Sequence, residues 1–405
     1  MIDYEEALAF VLSAAKALPA ESVPLADALG RTLARDVRAR EAIPPFTKAT
    51  MDGYAVRAED TRRSAAAADG AIALEVVEDL AAGRRSRKTV GPGQAVRIMT
   101  GAPLPGGADA VVMVEDTEAA GRVVKVRREV RPGDNLGLAG EDLQKGEIAL
   151  ERGAAIGPAE TAMLAAAGLA RVPVVRRPKL AVIATGDEIV EPGLPKRPGQ
   201  IRNSNGPALT ALAVRAGAAA TYLGIARDRN PSLAAKLARA QGADILVLSG
   251  GVSVGDHDLV REELRASGVR PVFWKVRIKP GMPVFFGVRP KQLVFGLPGN
   301  PTSAMVTFLL FVRPAIERML RRKALGPERC LAVLTEDIVL KPGRTQFLRG
   351  LLTASGPVLK VAPYEDQRSG VIRSMVRSRV LIVVPADVSR LEAGREVEIL
   401  FMDGR

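Results

Sequence analysis

The sequence is poor in the side chains that most protein metal and redox centres need. Its 405 residues include one cysteine, Cys330, and one histidine, His257. A disulfide framework, a zinc site, a haem pair and an iron–sulfur cluster each require more of these residues. The scarcity of cysteine is also typical of a reducing compartment, so we expect a cytoplasmic protein.

Long apolar runs and aromatic residues are scarce as well. The longest apolar candidate, residues 304–312, stops at Arg313 and falls short of the roughly 20 residues that span a bilayer. The acidic start of the chain, residues 1–6, lacks the basic residues of a signal peptide. Aromatic residues make up 4% of the chain, so the mixture of aromatic and basic side chains that binds nucleic acid is not predicted. We expect neither a membrane nor a nucleic acid among the partners.

Basic residues exceed acidic ones, and the excess is confined to one block. The chain has 58 Lys and Arg against 45 Asp and Glu, a formal net charge of +13. Divided along the chain, the balance is −3 for residues 1–174, +14 for 175–330 and +2 for 331–405. Two interpretations stay open, arginines on solvated helix faces or a site for an anionic ligand.

The hydrophobic pattern predicts a multidomain chain of α/β and β regions. Residues 175–325 alternate strands and helices, which is typical of a doubly wound α/β domain. The predicted strands are 179–185, 220–225, 244–249, 272–278 and 293–296, and the predicted helices are 204–216, 231–241 and 301–322. Ser204 or Asn205 would be the N-cap of the first of these helices, and Asn300 that of the third. Residues 1–174 predict helices near 3–16 and 24–35 and an inserted β-rich domain at about 50–134, and residues 326–405 predict a small β-barrel.

Glycine-rich polar segments follow the predicted strands of the central region. They are Thr185-Gly186-Asp187-Glu188, Ser249-Gly250-Gly251 and Gly296-Leu297-Pro298-Gly299-Asn300-Pro301. In an open α/β sheet, ligands bind beyond the carboxyl ends of the strands, and glycines let the backbone approach them closely. Neither a Walker A sequence nor GxGxxG occurs, so a P-loop nucleotidase and a dinucleotide enzyme are not supported.

Five carboxylates stand in or near these segments: Asp187, Glu188, Asp228, Asp256 and Asp258. Neighbouring carboxylates normally share a cation or a proton, and ligands that are all oxygen favour Mg²⁺. Alternatives stay open, because Asp187 and Asp256 are also typical helix N-caps. His257 is either a base between two acids or an ordinary loop residue.

A cationic stripe is predicted between residues 274 and 281. If the segment is one strand, its period of two puts Lys275, Arg277 and Lys279 on one face. Such a stripe suits a clamp for an oxyanion or a phosphate. Edge-strand lysines that prevent aggregation are the alternative.

Motifs outside the central region extend the pattern. They are Met51-Asp52-Gly53-Tyr54-Ala55, Thr100-Gly101-Ala102, Gly140-Glu141-Asp142, and Gly343-Arg344 with Phe347 and Arg349-Gly350. Together with the three glycine-rich segments, in this order and over nearly the whole chain, they resemble the molybdopterin molybdenumtransferase family, which is related to the E domain of gephyrin.

The resemblance implies a reaction and an assembly. Molybdate would be inserted into the dithiolene of adenylylated molybdopterin, with Mg²⁺-dependent release of AMP. It also implies a homodimer in which the inserted domain of one subunit faces the α/β domain of the other. An upstream molybdopterin adenylyltransferase and apo-molybdoenzymes would be the partners. A non-catalytic scaffold that binds molybdopterin is the alternative.

The resemblance also implies which residues form the site. The catalytic set is Asp52, Thr100, Glu188, Asp228, Asp258, Lys275 and Lys279, and the substrate-binding set is Asp142, Thr185, Ser249, Gly250, Gly251, Ser253, Pro298 and Pro301. Glu188, Asp228 and Asp258 would hold magnesium, and Lys275 and Lys279 would hold molybdate. Gly250 and Gly251 would let backbone N–H groups approach the phosphate.

The chain departs from the family at two places. Leu138-Ala139-Gly140 stands where many relatives carry arginines, and Arg368 stands where a glycine is common.

Overall fold

In the first half of the chain, a β-sheet is inserted into a small region. The elements of that region that precede the inserted sheet are called outgoing, and those that follow it are called returning. The computed structural model describes residues 1–62, 71–227, 230–251, 259–355 and 358–403. The outgoing elements are α1 (Tyr4–Ala14), β1 (Ala20–Pro24), β2 (Val37–Arg38) and β3 (Lys48–Ala49). The inserted strands are β4 (Gly53–Val56), β5 (Ile72–Leu80), β6 (Gln94–Ile98), β7 (Ala110–Met113), β8 (Thr117–Ala120) and β9 (Val123–Val126). The returning elements are β10 (Leu136–Gly137), β11 (Ile148–Leu150), α2 (Pro158–Ala166) and β12 (Arg171–Val175).

Outgoing and returning strands pair with one another. β1 pairs with β12, β2 with β11 and β3 with β10, all antiparallel. Between them the inserted strands form a six-stranded sheet in the order β7-β4-β6-β5-β9-β8. Alternate residues of β4 pack on opposite faces, with Tyr54 in one apolar cluster and Ala55 in the other. The paired strands therefore hold the inserted sheet at both of its chain connections.

The predicted helix at residues 24–35 is wrong. Leu25–Asp27 form one 3₁₀ turn, and Gly30 then has a φ of 72°, outside the helical region. Beyond it the backbones of Thr32 and Leu33 bridge to Ala155 and Val174. Leu33 is fully buried, so its apolar side chain serves this extended pairing rather than a helix face.

The central region is the predicted doubly wound α/β domain. Its elements are β13 (Lys179–Thr185), β14 (Ile189–Val190), β15 (Ile201–Arg202), α3 (Asn205–Ala216), β16 (Ala219–Ala226), α4 (Asn230–Arg239), β17 (Ile245–Ser249), α5 (Leu259–Ala266), β18 (Arg270–Trp274), β19 (Ile278–Lys279), β20 (Phe285–Arg289), β21 (Gln292–Leu297), α6 (Pro301–Thr307) and α7 (Arg313–Met319). A π-helical turn, Phe308–Val312, joins α6 to α7. The sheet order is β16-β13-β17-β21-β20-β18, and the first four strands are parallel.

Helices cover both faces of this sheet. One apolar cluster joins the sheet to α1, α3, α6 and α7, and a second joins it to α4 and α5. The prediction for residues 179–185 is confirmed to the residue, and α3 ends at Gly217, whose φ of 104° stops the helix as predicted. The strand Phe285–Arg289 was not predicted.

The predicted strand at residues 272–278 is wrong, and with it the cationic stripe. β18 ends at Trp274, and Lys275 has a φ of 74°, which breaks the alternation. β19 then pairs with a strand of the C-terminal sheet instead. Its buried Ile278 belongs to the packed core, so the apolar alternation is real but spans two different sheets.

The C-terminal region is the predicted barrel. Its elements are β22 (Arg329–Leu334), β23 (Ile338–Val339), β24 (Thr345–Ser355), β25 (Val358–Pro363), α8 (Ile372–Arg377), β26 (Val380–Val384), β27 (Arg390–Leu391) and β28 (Glu396–Phe401). The order β24-β25-β22-β28-β26 closes through pairing of β26 with β24. Across the described residues, no helix is both long and apolar enough to cross a membrane.

Candidate active site

A cavity of about 420 Å³ opens at the carboxyl ends of β13, β17 and β21. These parallel neighbours end at Thr185, Ser249 and Leu297, so their following loops meet at one edge of the sheet. Seven residues of the predicted site line this cavity: Thr185, Glu188, Ser249, Gly250, Gly251, Pro298 and Pro301. The topology of the sheet therefore brings together motifs that lie far apart in the sequence.

Hydrogen bonds cross-link the strand ends beneath the cavity. The Thr185 hydroxyl donates to the Ser249 carbonyl oxygen at 3.3 Å. The Gly250 N–H donates to the Leu297 carbonyl oxygen at 3.2 Å. That donor is engaged within the protein, and Gly251 supplies the other backbone donor of the pair.

Gly250 and Gly251 must both be glycine, because neighbouring atoms lie where a Cβ would stand. Gly250 has a φ of 94°, and a Cβ added there would lie 2.6 Å from the Thr185 carbonyl oxygen. Gly251 has a φ of 65°, and its Cβ would lie 2.6 Å from Cγ2 of Val260. Any side chain at these positions would be strained by its backbone and would displace a neighbour.

The acidic loop after β13 is held by an arginine. Nη1 of Arg227 donates to the carbonyl oxygens of Gly186, Asp187 and Ile189 at 3.2, 3.1 and 2.9 Å. A strand, β14, follows the loop, so the alternative that Asp187 caps a helix is wrong. The Glu188 carboxylate is exposed, lines the cavity and forms no ion pair with any described residue.

The predicted magnesium set cannot be assembled from this part of the chain. Asp228, Ser253, Asp256, His257 and Asp258 lie outside the described residues. Among the described residues, no three Asp, Glu, His or Cys side chains cluster as a metal site would require. Of the predicted set, Glu188 is the member that the described residues include, and it offers the carboxylate oxygens that Mg²⁺ prefers.

Asp52 and Thr100 form a second, separate cluster on the inserted sheet. Oδ1 of Asp52 accepts hydrogen bonds from the backbone N–H and the hydroxyl of Thr100, both at 2.7 Å. These two bonds, with a smaller contribution from the charge of Arg97, lower the pKa of the Asp52 carboxyl below its ordinary value. Both side chains are exposed, and neither belongs to the described lining of the strand-end cavity.

The predicted molybdate lysines also lie apart from the cavity lining. Lys275 is half-buried after β18, and Lys279 is exposed in β19 opposite Gln346. Arg277, between them, pairs with Asp3 at 2.7 Å and is thereby neutralised. Asp142 is exposed on the returning segment, where its N–H donates to the Ile43 carbonyl oxygen.

Sequence reasoning missed part of the cavity wall. The additional lining residues are Ala184, Ile189, Ile201, Arg202, Asn203, Ser204, Asn205, Pro283, Gly299 and Asn300. The two asparagines that begin helices were interpreted only as candidate N-caps, yet neither side chain caps its helix. Asn205 donates to Ser249 Oγ and to the Gly299 carbonyl oxygen, both at 2.8 Å, and Asn300 donates to Ser369 Oγ at 2.9 Å. The run Asn203-Ser204-Asn205-Gly206 at a strand-to-helix junction was the available signal.

Comparison with known proteins accounts for nearly the whole chain. Residues 2–168 match the MoeA N-terminal region (domain I and II), residues 181–318 a probable molybdopterin binding domain, and residues 331–402 the MoeA C-terminal region (domain IV). The molybdopterin molybdenumtransferase of Bacillus subtilis is 38% identical over 99% of this chain and 94% of its own length. The chain belongs to the molybdopterin molybdenumtransferase family. The Staphylococcus aureus (strain Mu50) member is 34% identical over 99% of this chain and 96% of its own length.

Solved structures of the family share the fold. Two crystal structures of the molybdopterin biosynthesis MoeA protein from Pyrococcus horikoshii superpose with TM-scores of 0.85 and 0.84, at 35% and 32% identity. They cover 100% and 99% of this chain, and all of their own length. Every residue that lines the strand-end cavity falls within the part matched by the probable molybdopterin binding domain. Membership of this family identifies the protein as an enzyme of molybdenum cofactor biosynthesis.

Proposed function

We propose that this protein inserts molybdate into the dithiolene of adenylylated molybdopterin and that the step releases AMP in a Mg²⁺-dependent way. The observation that carries the proposal is the strand-end cavity, which lies wholly within the stretch that matches a molybdopterin binding domain. Its volume of about 420 Å³ is in the range of small-ligand sites. The names of the curated relatives, molybdopterin molybdenumtransferase, agree with the reaction.

The chain's own residues would divide the work. Glu188 would hold magnesium together with Asp228 and Asp258, and its exposed carboxylate on the cavity rim suits that role. Magnesium bound there would neutralise phosphate charge as AMP leaves. Lys275 and Lys279 would attract molybdate, a dianion. The loop that carries Glu188 is tied by Arg227, which keeps the carboxylate at the edge of the cavity.

We propose further that the working unit is a homodimer. Asp52 and Thr100 are exposed, and apolar side chains around them are exposed too, Met51 by 39% and Val114 by 45%. A second copy whose strand-end cavity faces this surface would bring Asp52 and Thr100 to the substrate. On this proposal the protein acts in the cytoplasm, receives its substrate from an adenylyltransferase and delivers the cofactor to apo-molybdoenzymes.

The test is the release of AMP from adenylylated molybdopterin by the purified full-length protein. We expect release that requires both molybdate and Mg²⁺, with molybdopterin-bound molybdenum formed in equal amount. A matched reaction with sulfate in place of molybdate controls for general anion effects. Release that molybdate does not stimulate would reject the transferase and favour the non-catalytic scaffold.

A further inference from the structure

The hydroxyl hydrogens at the floor of the cavity are already engaged, and so is one backbone N–H. We define the floor as Thr185, Asn205, Ser249 and Gly250. The Thr185 hydroxyl donates to the Ser249 carbonyl oxygen, and the Gly250 N–H donates to the Leu297 carbonyl oxygen. The Ser249 hydroxyl is directed to the Pro298 carbonyl oxygen at 3.4 Å. The two hydroxyls of the floor and the Gly250 N–H are therefore directed at the protein itself.

The Asn205 side chain also has no hydrogen to spare, because the orientation of its amide is determined by its hydrogen bonds. Both hydrogens of Nδ2 are engaged, one with Ser249 Oγ and one with the Gly299 carbonyl oxygen, at 2.8 Å each. A carbonyl oxygen only accepts, so a flipped amide would place two acceptors against each other at Gly299. Oδ1 is therefore the remaining polar atom of the side chain, and no described residue donates to it.

Hydrogen bonds of the nearby Asn203 also hold Asn205 in position. Oδ1 of Asn203 accepts from the Gly206 N–H at 3.0 Å, at the first turn of α3. Nδ2 of Asn203 donates to the Tyr222 hydroxyl at 2.6 Å, and that hydroxyl donates to Glu191 at 2.7 Å. A hydrogen-bond acceptor held in place before the ligand arrives loses little entropy on binding.

A floor that offers acceptors discriminates between the two ends of the substrate. A phosphate presents only acceptor oxygens and would find no hydrogen to accept from the floor's hydroxyls or the Asn205 amide, whereas a 2-amino-4-oxopteridine carries N–H donors. The exposed Arg202 and the Gly251 N–H lie elsewhere in the same lining and suit the anionic end. We propose that Asn205 Oδ1 accepts a hydrogen bond from the 2-amino group of the pterin, so that the pterin end occupies the floor. This assignment rests on the proposed substrate, adenylylated molybdopterin.

The test compares two probes that differ by one amino group. Binding of pterin (2-amino-4-oxopteridine) and of 4-oxopteridine is measured by fluorescence titration of the full-length protein. We expect the wild type to prefer pterin by about 10-fold, the worth of one well-made hydrogen bond. Asn205→Leu, similar in volume but without an acceptor, abolishes the preference. A purely structural effect of the leucine would weaken both probes equally and leave their ratio unchanged.

AMP serves as a third probe because it lacks the pterin. We expect Asn205→Leu to change AMP affinity less than about twofold, since the phosphate end lies away from the floor. A wild type that binds both pteridines equally, or a variant that loses AMP affinity as strongly as pterin affinity, would overturn the assignment. Molybdate-dependent AMP release by the wild type reports on the proposed function separately. Release with no pterin preference would reject the subsite alone, and a pterin preference without release would reject the function alone.

Discussion

The strand-end cavity and the Asp52–Thr100 cluster differ in how complete they are within one chain. At the cavity, parallel strands deliver three loops to one edge, and Asn205 bonds two of them together. On the inserted sheet, the Asp52 carboxylate accepts two hydrogen bonds from Thr100, and both side chains are exposed. The cavity is thus a built pocket, whereas the inserted sheet presents an exposed pair of side chains. We call this pair the half-site, because in the proposed homodimer it would complete the pocket of the other subunit. A site shared between two subunits requires one surface of each kind.

We expect Gly250→Ala, beneath the strand-end cavity, to have the largest effect on stability and activity. In Gly250→Ala the new methyl would lie 2.6 Å from the Thr185 carbonyl oxygen, at a φ of 94°. Because backbone cannot rotate away, we expect the free energy of unfolding to fall by about 3 kcal/mol or more. Molybdate-dependent AMP release should fall below detection. Urea unfolding and the AMP assay measure the two effects.

Gly83→Ala is the matched control for this substitution. Gly83 also has a positive φ, 79°, but a Cβ there meets nothing within 4 Å. It isolates the cost of the backbone conformation, about 1 kcal/mol, and should leave AMP release unchanged. Equal losses at the two glycines would mean that close packing around Gly250 contributes nothing.

The next prediction tests the exposed half-site. Asp52→Ala and Glu188→Gln should each abolish AMP release as homodimers. When the two inactive proteins are mixed and exchange subunits, about half of the dimers are mixed and each keeps one intact site, so about a quarter of wild-type activity returns. Each variant incubated alone is the control. A mixture that exchanges subunits but stays inactive would show that Asp52 and Glu188 act within the same chain.

Sequence patterns predicted the pocket well because its parts obey a rule of topology. Residues 179–185 and the helix after residue 204 follow local periodicity, and strands of one parallel sheet necessarily end together. The segment around Lys275 failed for the opposite reason. Val276 and Ile278 alternate in the sequence and are both buried, but periodicity does not reveal which sheet supplies the hydrogen-bond partner.

Two other failures have the same physical origin. The predicted helix over residues 24–35 gives way to extended backbone because Leu33 pairs with Val174, more than a hundred residues away. Asn205 looks like a cap from its neighbours in sequence, yet its partners are Ser249 and Gly299. Local pattern identifies what a residue is able to do, and long-range contacts decide which of those options it takes.

We expect a smaller effect on stability at Tyr222, which supports Asn203 in the wall of the cavity. Tyr222→Phe removes the hydroxyl that donates to Glu191 and accepts from Asn203, so we expect a loss of about 1–2 kcal/mol in the free energy of unfolding. Burial, and then the hydrogen bond to Glu191, raise the pKa of Tyr222 above its ordinary value. The contribution of the neutral phenol is therefore fully present below about pH 10 and declines above it.

Unfolding of the wild type and Tyr222→Phe at pH 8 and at pH 11 measures this effect. The difference in stability between the two proteins should shrink at the higher pH, since unfolding then releases the Tyr222 proton. Effects of other groups that titrate in this range are common to both proteins and cancel. A difference that stays constant or grows with pH would contradict the raised pKa.

The smallest expected effect is electrostatic and concerns the half-site alone. Thr100→Val removes the hydroxyl donor but keeps the backbone N–H bond to Asp52. The pKa of the Asp52 carboxyl, now below its ordinary value, should rise part of the way back, as an NMR titration of that carboxyl would show. Thr100→Ser keeps the donor and should keep the lowered pKa. A shift no larger in the valine than in the serine variant would mean that the backbone bond alone holds Asp52 ionised. The half-site would then owe its charge to the turn of the chain rather than to the threonine side chain.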